Sequence, residues 1–417
     1  MTIQIRCTTD QDRDVFVSTL HAAFARFPET PNEDGSGVFW SAWEMERNLL
    51  ATTAQGRPIG TAAAYSFELT LPGGAIAPAT GVTNIGVMPS HRRQGVMTAM
   101  VRRQFDDVRE RGEYLVVLLA MEATIYQRFG YGPATYHHEL TVTRHRATFA
   151  PARARRCTAS AVGTGTETDQ PPGSVEVLAR AECGELLEQI YDRYRRAQPG
   201  ALNRPHRWWA RGAGHPPVSA APRYIAVHRD AAGTADDYAS YLLEAGTLTV
   251  DEIIATDDAV STALARFALE HDLVHEVVFQ RCPLDLPLRW QLADFRAARV
   301  SDDGDYLWVR LLDVPRALTS RGWFRDGDLV LDVDDPFLDE RDRYLLTVRA
   351  GRADCVTTDR APDLSLDVSD LASIYLGGTL PSTLVRAGHV QAHHQGAAAQ
   401  ADALFRTERF PHCVHEF

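Results

Sequence analysis

The chain has 417 residues, enough for roughly two to four domains, and its hydrophobic content of 45% can build sizeable cores. All 43 basic residues other than histidine are arginine, and the absence of lysine excludes Schiff-base and pyridoxal-phosphate enzymes, kinases with a catalytic lysine, and Gly-Lys-Ser/Thr phosphate loops. The net charge of −12 divides into −1 for residues 1–150, −3 for 151–300 and −8 for 301–417, so we expect no nucleic-acid partner.

The cysteines and the apolar runs bear on the cellular compartment of the protein. Six scattered cysteines form no Cys-x-x-C pair, which is typical of reduced thiols. The sequence does not start with a basic and then apolar leader, and its longest apolar run, residues 115–121, is too short to cross a bilayer. We therefore expect a cytoplasmic protein with no membrane partner.

Residues 1–74 predict an antiparallel meander interleaved with helices. Alternating and helically spaced apolar residues give, in order, a strand over 2–6, a helix over 15–27, a helix over 38–50, and strands over 49–53 and 60–69. Pro72-Gly73-Gly74 predicts a turn.

Residues 79–121 carry the most informative pattern. A strand over 79–87 leads through a short polar loop into an amphipathic helix over 96–112 and an apolar strand over 114–121. A strand, a crossover helix and a second strand form a βαβ unit, so the sheet is at least partly parallel. A helical turn and a Gly-rich corner follow over 123–132.

The rest of the chain falls into three parts. Residues 151–174 lack periodicity and predict a linker or a long loop. A second unit repeats the order of the first, with a helix over 182–197, strands over 224–228, 238–244 and 247–254, a helix over 257–271 and a strand over 273–280. Residues 300–417 give strands over 307–312, 327–333, 343–349 and 353–357 and then helices from 367, which is typical of a separate α+β domain.

The polar loop of the first crossover has the chemistry of an anion site. A helix start presents unpaired backbone N–H groups and the positive end of the helix dipole. Arg92 and Arg93 add guanidinium donors, Gln94 can cap the helix or contact a ligand, and Gly95 lets the backbone approach a phosphate. A pyrophosphate fits this loop, while an arginine pair before a helix is also typical of a solvated surface.

The segment IGVMPSHRRQGVM, residues 85–97, resembles the acetyl-coenzyme-A motif of the GNAT N-acetyltransferases, in outline V-x-P-x-x-R-x-x-G-x-G/A. The matching residues are Val87, Pro89, Arg92 and Gly95, and Met97 departs from the small residue of the family. The whole chain resembles the Eis (enhanced intracellular survival) type of acetyltransferase more closely. That resemblance is carried by SHRRQG, EATIYQRFGYGPA, VRLLDVPRALTSRGW and the aromatic last residue.

The resemblance implies a fold and an activity. The fold is α/β and α+β, with a catalytic GNAT domain over 1–150, a degenerate GNAT domain over 151–299, and a sterol-carrier-protein-like domain over 300–417 whose C-terminus reaches the active site. The activity is acetyl-CoA-dependent transfer, direct and in a ternary complex, to amines of cationic small molecules such as aminoglycosides and polyamines, or to lysine side chains. A homohexamer is also implied.

The same resemblance implies an acetyl-CoA site on the first crossover. The acetyl and pantetheine groups would meet the backbone of Ile85, Gly86 and Val87. The pyrophosphate would meet Arg92, Arg93, Gln94, Gly95 and Val96.

Two residues take catalytic roles by the resemblance. Tyr126 would be the general acid to the leaving thiolate, and the C-terminal carboxylate of Phe417 would be, or would position, the general base. A phenol with a pKa of about 10 has a proton to give at neutral pH, and a carboxylate can accept one, directly or through a water. The alternatives are a packing aromatic at Tyr126 and a frayed terminus at Phe417, although the apolar character of 405–417 argues against fraying.

The candidate acceptor pocket is made of aromatic and acidic side chains, which suit polycations: Phe24, Phe27, Trp40, Trp43 and Glu416. Where family members often carry an acid two residues after Phe24, this chain has Arg26, so we expect the negative charge at positions 29, 33 or 34.

Two other clusters predict an absence of ligands. Asp257 and Asp258 at the second crossover satisfy the helix dipole and repel phosphate, so we expect no coenzyme in the second domain. His389 and His393 stand four residues apart without an accompanying carboxylate pattern, and we expect no metal site. Two other functions stay open, a non-enzymatic acyl-CoA- or lipid-binding protein and a dedicated protein-lysine acetyltransferase.

Overall fold

The computed structural model describes residues 2–25, 42–150, 173–210 and 223–417. They fold into two compact units. Unit 1 comprises residues 1–136, 198–219 and 305–417, and unit 2 comprises residues 137–197 and 220–304. The first and third sequence segments therefore share a unit, whereas domain boundaries at 150 and 299 stay a prediction.

The secondary structure of the described residues is mixed. The strands are β1 (Ile3–Cys7), β2 (Leu49–Thr53), β3 (Pro58–Thr70), β4 (Ile76–Val87), β5 (Leu115–Leu119), β6 (Gly132–Pro133), β7 (Tyr136–Thr143), β8 (Gly173–Ala179), β9 (Tyr224–Asp230), β10 (Ala235–Glu244), β11 (Thr247–Ile254), β12 (Glu276–Cys282), β13 (Ala298–Asp305), β14 (Leu307–Leu311), β15 (Gly327–Asp335), β16 (Glu340–Arg349), β17 (Arg352–Thr357), β18 (Leu364–Asp367) and β19 (Gln391–Ala392). The α-helices are α1 (Arg13–Ala23), α2 (Val96–Glu110), α3 (Ala123–Gln127), α4 (Leu186–Ala197), α5 (His206–Ala210), α6 (Asp258–Leu269), α7 (Leu288–Gln291), α8 (Val314–Ser320), α9 (Val368–Tyr375), α10 (Pro381–Ala387) and α11 (Ala397–Phe405).

The first sheet of unit 1 has the order β1-β2-β3-β4-β5-β14-β6. Strands β1 to β4 form an antiparallel meander, and β4 runs parallel to β5 with α2 as the crossover, so the predicted βαβ unit is confirmed. The apolar face of α2 is buried from Val96 to Val108. Gly112, with a φ of 71°, stops the helix by donating its N–H to the carbonyl of Arg109.

Strand β14 joins this first sheet although its sequence lies in the predicted third domain. It pairs antiparallel with β5, from Leu307 opposite Leu119 to Leu311 opposite Leu115, and with β6 on its other side. Its side chains belong to one hydrophobic core with residues of the first 135 positions and of the C-terminal segment. This shared sheet and core explain why the first and third segments form one compact unit.

The other sheet of unit 1 has the order β17-β16-β15-β18-β19. The four strands predicted within 307–357 are confirmed, and β18 is an additional strand, parallel to β15. Only four residues form β18, too few for an alternation of polar and apolar residues to be recognised. Helix α9 follows directly, and the carboxylate of Asp367 caps it by accepting the N–H of Ser369.

Unit 2 has a sheet of the order β13-β7-β12-β11-β10-β9-β8. Its strands β11 and β12 are parallel and joined through α6, as the repeat in the sequence predicts. Of the predicted linker, residues 151–172 lie outside the described residues, and 173–174 begin β8 instead.

The helix predicted over 38–50 is wrong in its described part. Residues 42–48 hold a single 3-10 turn at Met45–Arg47, and β2 begins at Leu49. Helical spacing misleads here because Arg47 does not face water: its guanidinium is buried and bonds Ser66, Thr80 and Glu113.

Two general features concern thiols and membranes. No disulfide joins the cysteines at 7, 183, 282, 355 and 413, and Cys157 lies outside the described residues. Within the described ranges, no helix has both the length and the apolar character needed to span a membrane.

Candidate active site

The first crossover opens a gap between β4 and β5. The two strands pair from Ala79 opposite Leu115 to Val82 opposite Leu118, whereas β4 continues to Val87. Asn84, with a φ of 52°, lies in a β-bulge that shifts the register of β4 against β3. The main chain of residues 83–87, which includes the predicted acetyl-binding segment, thus lies beyond the point where β4 parts from β5.

The loop after β4 leads to an open helix N-terminus. Gly95, with a φ of 83°, is the N-cap of α2, and no described side chain caps the helix there. A Cβ atom added to Gly95 would meet no described heavy atom within 4 Å. Unpaired N–H groups, the helix dipole and this free space suit a phosphate group, so the residues present fit the pyrophosphate of acetyl-CoA.

Two of the predicted phosphate-binding side chains, Arg92 and Gln94, have protein partners in this structure. Arg92 donates from Nη2 to the carbonyl of Ala23 at 2.8 Å and from Nε to that of Val87 at 3.3 Å. Gln94 donates to the carbonyl of Ser90 at 3.2 Å, and Arg93 is exposed with a φ of 60°. Arg92 therefore fixes the loop to the end of α1, and pyrophosphate binding by these side chains stays a prediction.

Tyr126 sits in the short helix α3, next to the end of β5. Its carbonyl accepts the N–H groups of Phe129 at 3.0 Å and Tyr131 at 3.3 Å, and its ring meets that of Tyr131 edge-on at 6.1 Å between centroids. Burial, assisted by the charge of Glu122, raises the pKa of Tyr126 above its ordinary value. The phenol consequently keeps its proton at neutral pH.

The end of the sequence packs against β3 and β4, next to the point where β4 parts from β5. The ring of Phe417 lies 5.0 Å from that of Phe67, and Thr83 Oγ1 donates a long hydrogen bond of 3.4 Å to the oxygen of Phe417. A Cβ on Gly81 would stand 3.1 Å from the Phe417 ring, so the glycine makes room for it. Residues 411–415 are all buried, and the C-terminal tail, residues 410–417, is docked instead of frayed.

The candidate acceptor residues occupy different places. Phe24 is 41% exposed, and its ring lies 3.4 Å from a Cβ built on Gly86 of β4. Glu416 is exposed next to Phe417. Trp43 is only 7% exposed and packs edge-on against Phe16 in the core. Positions 26–41, which include Phe27, Trp40 and the acids at 29, 33 and 34, lie outside the described residues. The acceptor roles stay predictions.

The histidines near 390 bond separate partners. His389 pairs with Asp370 at 3.2 Å, His393 contacts Ser365 at 2.8 Å, and the Nε2 of His394 lies 2.8 Å from a carboxylate oxygen of Asp363. No three potential metal ligands converge anywhere among the residues that the structure describes.

Sequence reasoning missed two residues beside the tail. Thr83, which contacts Phe417, is an ordinary strand residue with no distinguishing motif. Arg204 is 4% exposed and bonds Val414 and His415. The available signal was an arginine placed among proline and aromatic residues in the segment Arg-Pro-His-Arg-Trp-Trp, a composition that favours burial.

Three family models match this chain. An acetyltransferase (GNAT) domain matches residues 4–134, a second acetyltransferase (GNAT) domain matches 200–311, and a sterol carrier protein domain matches 314–414. The fold and the crossover site thus define an acetyltransferase with two GNAT domains and a sterol-carrier domain, which confirms the predicted fold class.

Relatives over the whole chain identify the family. An uncharacterised N-acetyltransferase of Streptomyces avermitilis is 33% identical over 428 residues, covering 100% of this chain and 99% of the relative. N-acetyltransferase Eis of Mycobacterium tuberculosis is 33% identical over 361 residues, covering 84% of this chain and 83% of the relative. The crystal structure of Eis1 from Mycobacterium abscessus matches with a TM-score of 0.83 and 32% identity over 100% of both chains.

This chain belongs to the Eis family of GNAT N-acetyltransferases. It is an N-acetyltransferase, and acetyl-CoA is its acyl donor.

Proposed function

We propose that the enzyme transfers the acetyl group of acetyl-CoA directly to an amine of a small cationic molecule, a polyamine or an aminoglycoside, within a ternary complex. In this proposal Phe417 supplies the general base and Tyr126 the general acid. The observation that carries it is the docking of Phe417 beside Thr83, where β4 parts from β5.

The coenzyme is proposed to bind along the open part of β4. Ile85, Gly86 and Val87 offer main-chain groups to the acetyl and pantetheine portions, and the start of α2 at Gly95 and Val96 offers N–H groups to the pyrophosphate. The thioester then lies near Thr83 and hence near Phe417, which is the arrangement that direct transfer requires.

The nucleophile is the neutral amine nitrogen. It attacks the thioester carbonyl carbon, and the Phe417 carboxylate accepts the proton that the nitrogen loses, directly or through a water. A carboxylate is a weak base for an ammonium group in water, so in this proposal the acceptor nitrogen attacks in its neutral form and gives up its proton as the new bond forms.

The leaving group is the thiolate of coenzyme A. When the carbon–sulfur bond breaks, Tyr126 gives its phenolic proton to the sulfur. The raised pKa of Tyr126 supports this role, because the side chain is protonated before the step over the whole neutral range.

A cationic acceptor is supported by charge. The net charge is −12 for the chain and −8 for residues 301–417, the segment that ends at the proposed base. Glu416 is exposed beside Phe417, and Phe24 offers an aromatic surface at β4. Acidic and aromatic groups together favour a polycation.

The cavities described in the C-terminal segment give no positive sign of a lipid site, although a sterol carrier protein model matches residues 314–414. Two cavities of this segment, of about 200 and 530 Å³, have many charged and polar side chains in their linings, including Asp332, Asp335 and Arg341. A lipid tail needs an apolar lining.

The experiment is a thiol-release assay with acetyl-CoA against spermidine, kanamycin, a lysine peptide and a neutral primary amine. We expect the two small polycations to give the highest kcat/KM and the neutral amine the lowest. A preference for the peptide would contradict the small-molecule assignment, and release with none of the amines would contradict the amine-transferase proposal.

The base assignment has its own assay. A chain extended by a few residues after Phe417 should lose turnover while its affinity for acetyl-CoA, measured by calorimetry, stays unchanged.

We also propose a homohexamer by likeness to the family. Light scattering that gives a mass other than that of six chains would contradict it.

A further inference from the structure

A short segment outside the crossover holds the C-terminal tail in place. We call residues 198–209 the clasp. We propose that the clasp, with Arg204 at its centre, positions the Phe417 carboxylate against β4, which makes Arg204 a positioning residue of the reaction. This inference rests on the proposed function because it takes Phe417 as the base.

The clasp is bound to the part of β3 that β2 leaves unpaired. Strand β2 pairs with β3 only between Pro58 and Ala62, so β3 is open on that side further along. There the clasp takes the place of a strand. Thr70 donates to the carbonyl of Ala201 at 2.9 Å, and Asn203 exchanges two hydrogen bonds with the main chain of Glu68, at 3.0 and 2.8 Å.

A salt bridge secures the other end of the clasp. Arg207 pairs with Glu44, whose carboxylate also accepts hydrogen bonds from the main chain and the hydroxyl of Ser66 on β3. Both ends of the clasp are therefore held by the same strand, and the strand is part of the sheet that carries the active site.

The clasp forms hydrogen bonds with the tail at Phe410, His412 and Val414. Gln198 donates its amide to the carbonyl of Phe410 at 2.8 Å, and the N–H of His412 donates to the carbonyl of Pro199 at 2.8 Å. Arg204 donates from Nη2 to the carbonyl of Val414 at 3.4 Å. These contacts fix the direction of the tail main chain up to Val414, three residues before Phe417.

The last contact passes through His415. Arg204 donates from Nε to Nδ1 of His415 at 3.3 Å, which makes Nδ1 an acceptor and places the imidazole proton on Nε2. His415 is fully buried, and the ring of Trp208 stands edge-on to it at 4.9 Å. The imidazole in turn stacks on the Phe417 ring at 6.1 Å. A chain of contacts thus runs from Arg204 through His415 to the ring of Phe417.

Only a charged, branched donor can make both bonds of Arg204. Its Nε and Nη2 point to different acceptors, and its side chain is 4% exposed. Lysine has one nitrogen and cannot reproduce this fork, and methionine leaves both acceptors without this donor. Arg204→Met should loosen the tail strongly, and Arg204→Lys should do so to a smaller extent.

A matched control is offered by Arg321. It is also buried, donates to the carbonyls of Tyr375 and Phe405, and lies over the ring of Trp323 at 4.4 Å, but it contacts no described residue of the tail. Arg321→Met therefore removes a similar buried guanidinium from the same unit without touching the clasp.

The test measures the tail and the reaction separately. In the first readout, a carboxypeptidase that removes C-terminal aromatic residues acts on the folded full-length chain, and mass spectrometry follows the release of Phe417. We expect release to be about tenfold faster for Arg204→Met than for the parent and near parental for Arg321→Met. Release at the parental rate from Arg204→Met would overturn the clasp.

In the second readout, kcat should fall about 100-fold in Arg204→Met, with the KM for acetyl-CoA nearly unchanged and a partial recovery in Arg204→Lys. Fast release with unchanged kcat would overturn the positioning role, and so would an equal loss of kcat in Arg321→Met. The chain extended after Phe417 is assayed in the same experiment. Full activity of the extended chain would show that the base assignment has failed. An inactive extended chain together with a parental kcat in Arg204→Met would show that only the clasp proposal has failed.

Discussion

Single side chains of this enzyme acquire their chemistry from burial. Tyr126 is a phenol of ordinary type, yet partial burial and the nearby charge of Glu122 raise its pKa and keep it protonated. Asp237 in unit 2 is 2% exposed, and burial raises its pKa to about 6. The raised pKa of Tyr126 serves the proposed reaction. The raised pKa of Asp237 affects stability, because it means that the folded protein disfavours the ionised form of that carboxyl group.

The pH dependence of turnover should follow Tyr126. The raised pKa predicts that kcat does not decline between about pH 7 and pH 9 through loss of the tyrosine proton. Glu122→Gln removes a charge that disfavours the tyrosinate, so its alkaline loss of kcat should begin at a lower pH than in the parent. Tyr126→Phe should lower kcat about 100-fold or more at every pH. An alkaline limb that is the same with and without Glu122 would contradict the assignment.

The stability of unit 2 should depend on Asp237. Because its folded pKa lies above the unfolded value of about 3.9, its favourable contribution is complete below that value and is lost as the pH rises through about 6. Asp237→Asn, which can still accept the N–H of Thr256, should therefore raise the Tm at pH 7.5 more than at pH 4. Asp272→Asn, at an exposed carboxylate, is the control and should show no such difference. Equal effects of Asp237→Asn at both pH values would refute the linkage.

Among the elements, β4 carries most of the candidate active site. One end pairs with β5, and the other end parts from it after a bulge at Asn84, so a single strand supplies both rigidity and open main-chain groups. The same strand also receives the last residue of the sequence at Gly81 and Thr83.

Gly81→Ala tests this crowded part of β4. The added Cβ would stand 2.4 Å from the Phe67 ring and 3.1 Å from the Phe417 ring, so the rings must move and Phe417 with them. We expect kcat to fall by about tenfold or more with a small change in the KM for acetyl-CoA. The control is Gly304→Ala in another strand, where the nearest described atom, on His137, is 3.5 Å away. Parental kcat in Gly81→Ala would show that the position of Phe417 does not limit turnover.

Much of this element could be predicted from the sequence. The spacing of apolar residues located β4, α2 and β5, and the Arg92–Gly95 loop marked the helix start. The parting of the strands and the bulge could not be predicted, because they depend on how many residues pair across the sheet. Thr83 and Arg204 were missed for a related reason: their importance comes from contacts with residues more than 200 positions away in the sequence.

At the scale of the whole molecule, segments that are distant in the sequence fold into the same compact unit. The third segment contributes β14 to the first sheet, and its last residue contacts Thr83 of β4, so it belongs to unit 1 together with residues 1–136. Strands β15 to β19 form a sheet of their own, whereas β14 joins the first sheet, and its five residues carry no sign of which sheet they join. The predicted domain boundary at 300 stays a prediction.

The two crossovers should differ in coenzyme binding. The helix start in unit 1 has glycine at its cap, whereas in unit 2 the carboxylate of Asp257 accepts the N–H groups of Ala259 and Val260 and occupies the place of an anion. Calorimetry with acetyl-CoA should therefore give one site per chain, and Gly95→Asp should abolish it. A stoichiometry of two would show that unit 2 also binds the coenzyme.

The central claim is that the carboxylate of Phe417 accepts the proton of the amine. It is tested most directly by steady-state kinetics of a semisynthetic chain in which that carboxylate is replaced by a carboxamide, a change that removes the charge and adds no bulk. We predict that kcat falls about 100-fold or more while the KM for acetyl-CoA and the Tm stay unchanged. A carboxamide chain with the kcat of the parent would contradict the account.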